Sequence, residues 1–321
     1  MNFSIEHFAE IAENGVANIK YPSTTPGLYA PIVYAMASGG KRLRPALCLA
    51  VYAALSHRAP EDIINQALAV EMFHNFTLLH DDVMDRADIR RGQPTVHRKW
   101  NDNVAILSGD TMLSMAYGLL ADGAGDRFAS LFEVFNRTAI EVYEGQQMDM
   151  EFEKRSDVTV SEYMDMIRLK TSVLLGCACR IGAMMAGASD YVCDAFFNYG
   201  EALGLAFQLR DDWLDTFGDP AVFGKEIGGD IINRKKTWLL ITCMAEAEDE
   251  IDGILREDLE PQEKISQVKR VYNRLQLAER CQELTERYSA QAADCLANVE
   301  LDHDARDFFT ELCTKAAARN H

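Results

Sequence analysis

The chain runs to 321 residues, with 50 acidic side chains against 32 Lys and Arg and a formal net charge of −18. That balance excludes the basic face on which nucleic-acid binding depends, and it disfavours docking on anionic lipid. Hydrophobic residues make up 48% of the chain, enough for the sizeable core of one large domain or two ordinary ones.

In chain order, the opening stretch MNFSIEHFAEIAEN has neither a basic start nor a long apolar run, so it does not read as a signal peptide. GGKRLRP at 39–45 sets Lys41, Arg42 and Arg44 beside a flexible Gly-Gly pair. Over 62–80, Ile64, Ala67, Leu68, Met72, Phe76 and Leu79 recur three or four apart, which predicts a helix. The same period predicts helices over 162–186 and 195–215, and charged helices with Leu and Val anchors follow over 263–318. Strand alternation is hard to find, and turns such as SHRAPED, ADGAGD and FGDPAVFGKEIGGD separate the helical runs. With no Ser/Gly linker and no clear repeat, the chain reads as one all-α domain over 1–321, a deep bundle with some helices buried on most faces. No uninterrupted apolar run nears the ~18–20 residues of a membrane span, so no stable membrane insertion is predicted. Eight cysteines lack C-x-x-C and zinc-ligand spacing, and they read as reduced thiols of a cytoplasmic protein.

Two acidic runs stand out. TLLHDDVMDRADIRRGQPTVH at 77–97 holds Asp81, Asp82 and Asp85, and FQLRDDWLD at 207–215 repeats the spacing with Asp211, Asp212 and Asp215. On a helix, residues four apart share a face, so Asp81 projects with Asp85 and Asp211 with Asp215; Gln208 joins the latter. A solvated helix face explains one D-D-x-x-D as well as any site does, but not two copies that each follow an apolar run. Carboxylates packed this closely protonate unless a cation neutralises them. Hard oxygen donors without Cys or His point to Mg²⁺ or Ca²⁺; Mg²⁺ takes one or two carboxylates and completes its shell with water and substrate phosphates, and without an EF-hand loop Ca²⁺ is the lesser option. Lys41, Arg42, Arg44, Arg90, Arg91, Lys170, Lys225, Lys235 and Lys236 each read singly as surface cations. Together they flank the acidic motifs or Gly-rich turns, where Arg forks and Lys ammonium groups suit phosphate oxygens.

GGKRLRP, DDVMD with RRG-x-PTVH, EGQ-x-x-D at 144–149, the Lys170–Thr171 pair, FQ-x-x-DD-x-x-D and GK…KKT follow one another from Gly39 to Thr237. In this order they resemble the trans-isoprenyl diphosphate synthases of the polyprenyl synthetase family. The resemblance implies an isoprenoid synthase-type helical bundle around a central cavity, a homodimer, and two acidic motifs facing each other across that cavity. It implies Asp81, Asp85 and Asp211 as the main ligands of about three Mg²⁺, with Asp82, Asp212 and Asp215 as further ligands or supporting groups. It assigns Arg90, Lys170, Lys225 and Lys235 to the diphosphate of an allylic substrate, and Lys41, Arg44, His74 and Arg91 to that of isopentenyl diphosphate. Thr171 and Gln208 are placed to steady an allylic cation with their oxygen dipoles.

Phe76 stands five residues before Asp81, roughly 7–8 Å along a helix axis, and resembles an aromatic floor that stops chain growth; Thr77 beside it is small. With no insertion in the first motif, this pattern is similar to archaeal-type geranylgeranyl synthases. Geranylgeranyl diphosphate is the favoured product, with farnesyl diphosphate close behind. A long-chain synthase and a non-catalytic partner subunit stay open as alternatives. A class I terpene cyclase would replace the second acidic motif and lack GGKRLRP.

Overall fold

The computed structural model describes residues 3–219 and 227–318. Among the described residues the regular structure is helical, apart from one two-stranded hairpin. The helices are α1 (Ile5–Asn18), α2 (Pro26–Met36), α3 (Leu43–Ser56), α4 (Ile64–Met84), α5 (Val96–Lys99), α6 (Asp102–Ala121), α7 (Phe128–Phe152), α8 (Val160–Ile167), α9 (Val173–Ala186) and α10 (Asp190–Phe217). After them come α11 (Gly229–Ile232), α12 (Trp238–Arg256), α13 (Pro261–Arg274), α14 (Leu277–Cys295) and α15 (His303–Ala317). The expected all-α class and the four expected helical regions are all present. Strands β1 (Ile89–Arg90) and β2 (Gln93–Pro94) pair antiparallel, Arg90 opposite Gln93. Arg91 and Gly92 between them both have positive φ, 51° and 74°, the backbone that a tight two-residue hairpin turn requires.

The chain forms two compact units, one of residues 1–136, 177–196 and 300–305 and one of 137–176, 197–299 and 306–321. In the first, α4 packs along α6, and its centre is buried on nearly every side from Gln66 to Phe73. Phe73 and Phe76 stack at 5.6 Å between ring centroids, and Phe73 meets Phe135 of α7 edge-on at 5.4 Å. In the second, α12, α13 and α14 bury a continuous apolar cluster that includes Leu239, Val268, Tyr272 and Leu277.

Two helical stretches, 102–121 and 160–186, reach the length and mean hydropathy of a membrane span. Neither is an uninterrupted apolar run: Asp102, Ser108 and Asp110 break the first, and Glu162, Asp165, Arg168 and Lys170 break the second. Length and hydropathy alone do not separate such a span from a core helix, and the second stretch is 61% buried.

Within the second unit, α8 passes into α9 through a π-helical turn, Arg168–Ser172, which carries Lys170 and Thr171. Turns of this kind widen the helix and recur at functional sites. Gly145 of α7 makes room for it: a Cβ there would lie 2.8 Å from Leu169 C and Lys170 Cα. Gly204 of α10 does the same from another side, at 2.8 Å from Ser172 Cα. The glycine of EGQ-x-x-D is therefore a packing requirement, and it brings Asp149, one turn further along α7, to Lys170. Gly145→Ala should lower stability by about 1–3 kcal/mol, because the obstacle is backbone and cannot rotate away. Thermal unfolding of the variant checks this, and a melting temperature equal to wild type would refute the close approach.

Candidate active site

In the first unit the acidic motif occupies the last turn of α4. Asp81 is half-buried and Asp85 exposed, one turn apart, with the Asp85 amide donating to the Asp81 carbonyl at 2.8 Å. Asp82 points elsewhere: it is 5% exposed and accepts from Arg90 Nε at 2.8 Å. Burial pushes its carboxyl up, and Arg90 opposes that shift.

The hairpin sends its two arginines to different places. Arg90 goes to Asp82, while the Arg91 guanidinium donates to the Gly39 carbonyl and lies against Gly40, where a Cβ would fall 2.9 Å from its Nη2. Arg42 at the start of α3 is held in left-handed backbone, φ 48°. Its buried side chain donates to Glu13 at 2.6 Å, to Glu71 at 2.5 Å and to the Met36 carbonyl at 2.6 Å. Arg44 Nη1 lies 3.2 Å from His74 Nε2. Burial pushes Arg44 down to about 10, Arg91 adds to the fall and Glu71 resists it. Burial and the surrounding arginines hold His74 well below the usual imidazole range, so the ring is neutral and accepts from Arg44. Arg44 Nε is sealed from solvent with no partner among the described residues. Lys41 stays exposed beside this cluster in sequence, and Thr77 turns its hydroxyl back to the His74 carbonyl at 2.8 Å.

In the second unit the acidic motif lies near the end of α10. Lys170 Nζ donates to Asp149 at 2.5 Å. Thr171 Oγ1 donates to Gln208 Oε1 at 3.4 Å, and Gln208 Nε2 donates to Asp212 at 3.1 Å. Asp212 is 2% exposed and also accepts from the Tyr163 hydroxyl. Burial pushes Asp212 up to about 7; Asp230 adds to this, while Lys235, Tyr163 and Gln208 oppose it. Asp215 accepts from the Asp230 amide at 3.0 Å, and Asp211 is exposed. Lys235 Nζ lies 3.7 Å from Asp230 Oδ1, and Asp230, Asp212, Asp149 and Asp215 raise its ammonium against the effect of burial. Lys225 lies outside the described residues.

Both motifs thus mass carboxylates at the C-terminal end of a helix, where the backbone dipole is already negative, and neither last turn holds a basic residue. Among the described residues no three His, Cys, Asp or Glu side chains close a metal shell by themselves. Hard oxygen donors at negative helix ends, with the rest of the shell left to water and phosphate, fit Mg²⁺.

Residues 25–275 match the sequence profile described as "Polyprenyl synthetase". The chain belongs to the polyprenyl synthetase family. Among curated relatives, the geranylgeranyl diphosphate synthase of Methanosarcina mazei is 44% identical over 225 residues, 69% of each chain. The geranylfarnesyl diphosphate synthase of Natronomonas pharaonis is 36% identical over 248 residues, 72% of each. A crystal structure of a geranylgeranyl pyrophosphate synthase superposes with a TM-score of 0.92 at 41% identity, covering 100% of both chains. As a member of this family the chain is a trans-prenyltransferase.

The structure adds residues that motif spacing did not single out as site residues. Arg42, Glu71 and Asn75 fix the cationic cluster, with Asn75 Nδ2 donating to Glu71 Oε1 at 3.0 Å. Tyr163 anchors Asp212, and Asp149 and Asp230 pair with Lys170 and Lys235. Asp149 stood in the quoted EGQ-x-x-D, and GGD ahead of NRKKT held the signal for Asp230. Tyr163 carried none, standing 49 residues from its partner. Tyr163→Phe should leave Asp212 with Gln208 as its remaining side-chain donor and cost about 1–3 kcal/mol of stability. Chemical denaturation measures this, and an unchanged midpoint would show that the phenol bond contributes nothing.

Proposed function

We propose that this prenyltransferase joins isopentenyl diphosphate head-to-tail (1'-4) to allylic diphosphates and releases a short-chain trans-prenyl diphosphate, geranylgeranyl diphosphate in preference to farnesyl diphosphate. The observation that carries this reading is the placing of both acidic motifs at negative helix ends with no basic residue in the last turn, an arrangement that bound cations make favourable. Asp81, Asp85 and Asp211 hold Mg²⁺, about three ions in all, with Asp215 as a further ligand. Asp82 and Asp212, turned onto Arg90 and Tyr163, act as supporting groups. When bound, Mg²⁺ neutralises the allylic diphosphate and stabilises the charge it gains as the C–O bond breaks.

The side chains do the rest. Lys170, Lys235, Arg90 and Lys225 bind the allylic diphosphate, and the first three leave their carboxylate partners to do so. Lys41, Arg44, His74 and Arg91 bind the diphosphate of isopentenyl diphosphate; the unpartnered Arg44 Nε supports this, since a buried N–H without an acceptor costs free energy that an anion recovers. The Thr171 hydroxyl oxygen and the Gln208 amide oxygen face the cationic carbon. The proton lost from the new chain goes to the departing diphosphate. Phe76, packed on Phe73 and with Thr77 beside it, stops chain growth. The relatives do not fix the product, since similar identities accompany geranylgeranyl and geranylfarnesyl names.

The catalytic form is a single domain that pairs with a second copy in the cytoplasm. Exposed Ile106 and Leu107 on α6 and Phe128 and Phe132 on α7 support a homodimer, since exposed apolar side chains of this kind mark association surfaces. Eight free cysteines suit a reducing compartment.

Purified protein given Mg²⁺, labelled isopentenyl diphosphate and, in turn, dimethylallyl, geranyl and farnesyl diphosphate should end at geranylgeranyl diphosphate. A long ladder of products would reject the short-chain reading, and no product from any primer would make the chain a partner subunit. Asp81→Ala and Asp211→Ala should each lower turnover by on the order of 10²-fold or more with helicity intact, the scale of losing one preorganised electrostatic contact. Wild-type rates in either variant would sink the metal assignment. Lys41→Ala should raise KM for isopentenyl diphosphate more than for the allylic partner, and equal changes would argue against separate binding groups.

A further inference from the structure

His80 stands on α4 between Asp81 and the Phe73–Phe76 pair, and the proposed reaction gives it no task. Its ring meets Phe76 edge-on, with centroids 4.8 Å apart and planes at 66°. Its Nε2 lies 3.1 Å from the Ile106 carbonyl of α6, where the ring N–H donates. The ring also rests on α6 itself: a Cβ built at Gly109 would sit 2.5 Å from His80 Cδ2 and 3.1 Å from Cε1. No side chain other than hydrogen fits beneath the imidazole.

The ring is therefore a spacer of fixed thickness between α4 and α6. It closes one side of Phe76, and Phe73, itself braced by Phe135, closes the other. A side chain flanked in this way cannot change rotamer without moving a neighbour. A prenyl chain growing against Phe76 would swing an unsupported ring aside, but here the displacement would have to lift His80 off the α6 backbone.

We infer that His80, seated on Gly109, is a specificity-determining positioning residue: it braces Phe76 so that the α4–α6 contact at Gly109 sets product length. The inference rests on Phe76 being the stop. An edge-on aromatic contact shifts an equilibrium by roughly two- to tenfold, so its loss should read out as a comparable rise in the ratio of longer to wild-type product.

The test compares product lengths from one incubation series of wild type, Phe76→Ala, His80→Ala, His80→Phe, Gly109→Ala and the double variant His80→Ala/Gly109→Ala, each checked for helicity and melting temperature. His80→Ala and Gly109→Ala should each raise the ratio of longer to wild-type product by roughly two- to tenfold, and His80→Phe should keep the wild-type ratio. In the double variant the Gly109 change should add nothing, because no ring is left to displace. A general loss of stability would lower yield without moving product length. If Phe76→Ala lengthens the product while His80→Ala and Gly109→Ala do not, the bracing is overturned and the stop stands. If the two changes add in the double variant, the His80–Gly109 contact is not the cause. If Phe76→Ala leaves product length unchanged, the stop itself is wrong and the bracing falls with it; a longer product from His80→Ala alone would then make the imidazole the stop.

Discussion

The Glu71–Arg42 ion pair holds the first unit's cations in place. Both side chains are nearly inaccessible, 4% and 2% exposed, with 2.5 Å between them. Two charges taken from water at such depth are expensive, and breaking the pair would cost about 3–5 kcal/mol by stranding one of them. The pair persists because each partner is saturated: Glu71 also accepts from Asn75, and Arg42 also donates to Glu13 and the Met36 carbonyl. It ties α1, the end of α2, the start of α3 and the middle of α4 together. It also fixes Arg42 in left-handed backbone, a conformation that costs of order 1–3 kcal/mol unless its surroundings impose it. Glu71 is a buried carboxylate that both Arg44 and Arg91 feel directly, and Asp82 adds to its effect on Arg91. The cationic group is thus built on a structural anion and is left one acceptor short, at Arg44 Nε.

The second unit inverts this arrangement. Asp230 and Asp212 are both raised by burial and by other carboxylates, and Lys235 is the cation that moderates both. The geometry depends on backbone approach. Gly145 and Gly204 let α7 and α10 reach the π-helical turn, and Asp149 and Gln208 follow one turn later on the same helices. Each polar contact to Lys170 or Thr171 is therefore a consequence of a missing Cβ four residues earlier.

What the sequence revealed, and what it concealed, divides along the same line. Helical periodicity is local, so the fold class, the main helices and the pairing of Asp81 with Asp85 were legible. The partners of Asp82 and Asp212, Arg90 and Tyr163, could not be read. Gln208 lies on the same helix as Asp211, three residues before it, and its amide donates to Asp212, four residues on. Arg42 reads in sequence as one cation among several, because its partner Glu71 is 29 residues away and only the packed structure joins them. Mean hydropathy over α6 and over 160–186 exceeded what uninterrupted apolar runs suggested, because scattered polar residues break a run without lowering its average much.

The proposed chemistry and the proposed chain-length stop occupy successive turns of one helix. On α4 the acidic residues fill the last turn, His80 precedes them, and Phe76 and Phe73 lie one and two turns further down. In the proposed reaction the charges answer to diphosphate and metal, whereas the aromatic rings pack against neighbours on α6 and α7. On that reading, substitution among the rings would move product length while leaving the proposed bond-making groups untouched, and substitution among the charges would not. That separation gives a physical reason why relatives of comparable similarity carry geranylgeranyl and geranylfarnesyl names. It also places the decisive information in side-chain packing between helices, where a change as small as one Cβ at Gly109 would be felt at Phe76 through a single intervening ring.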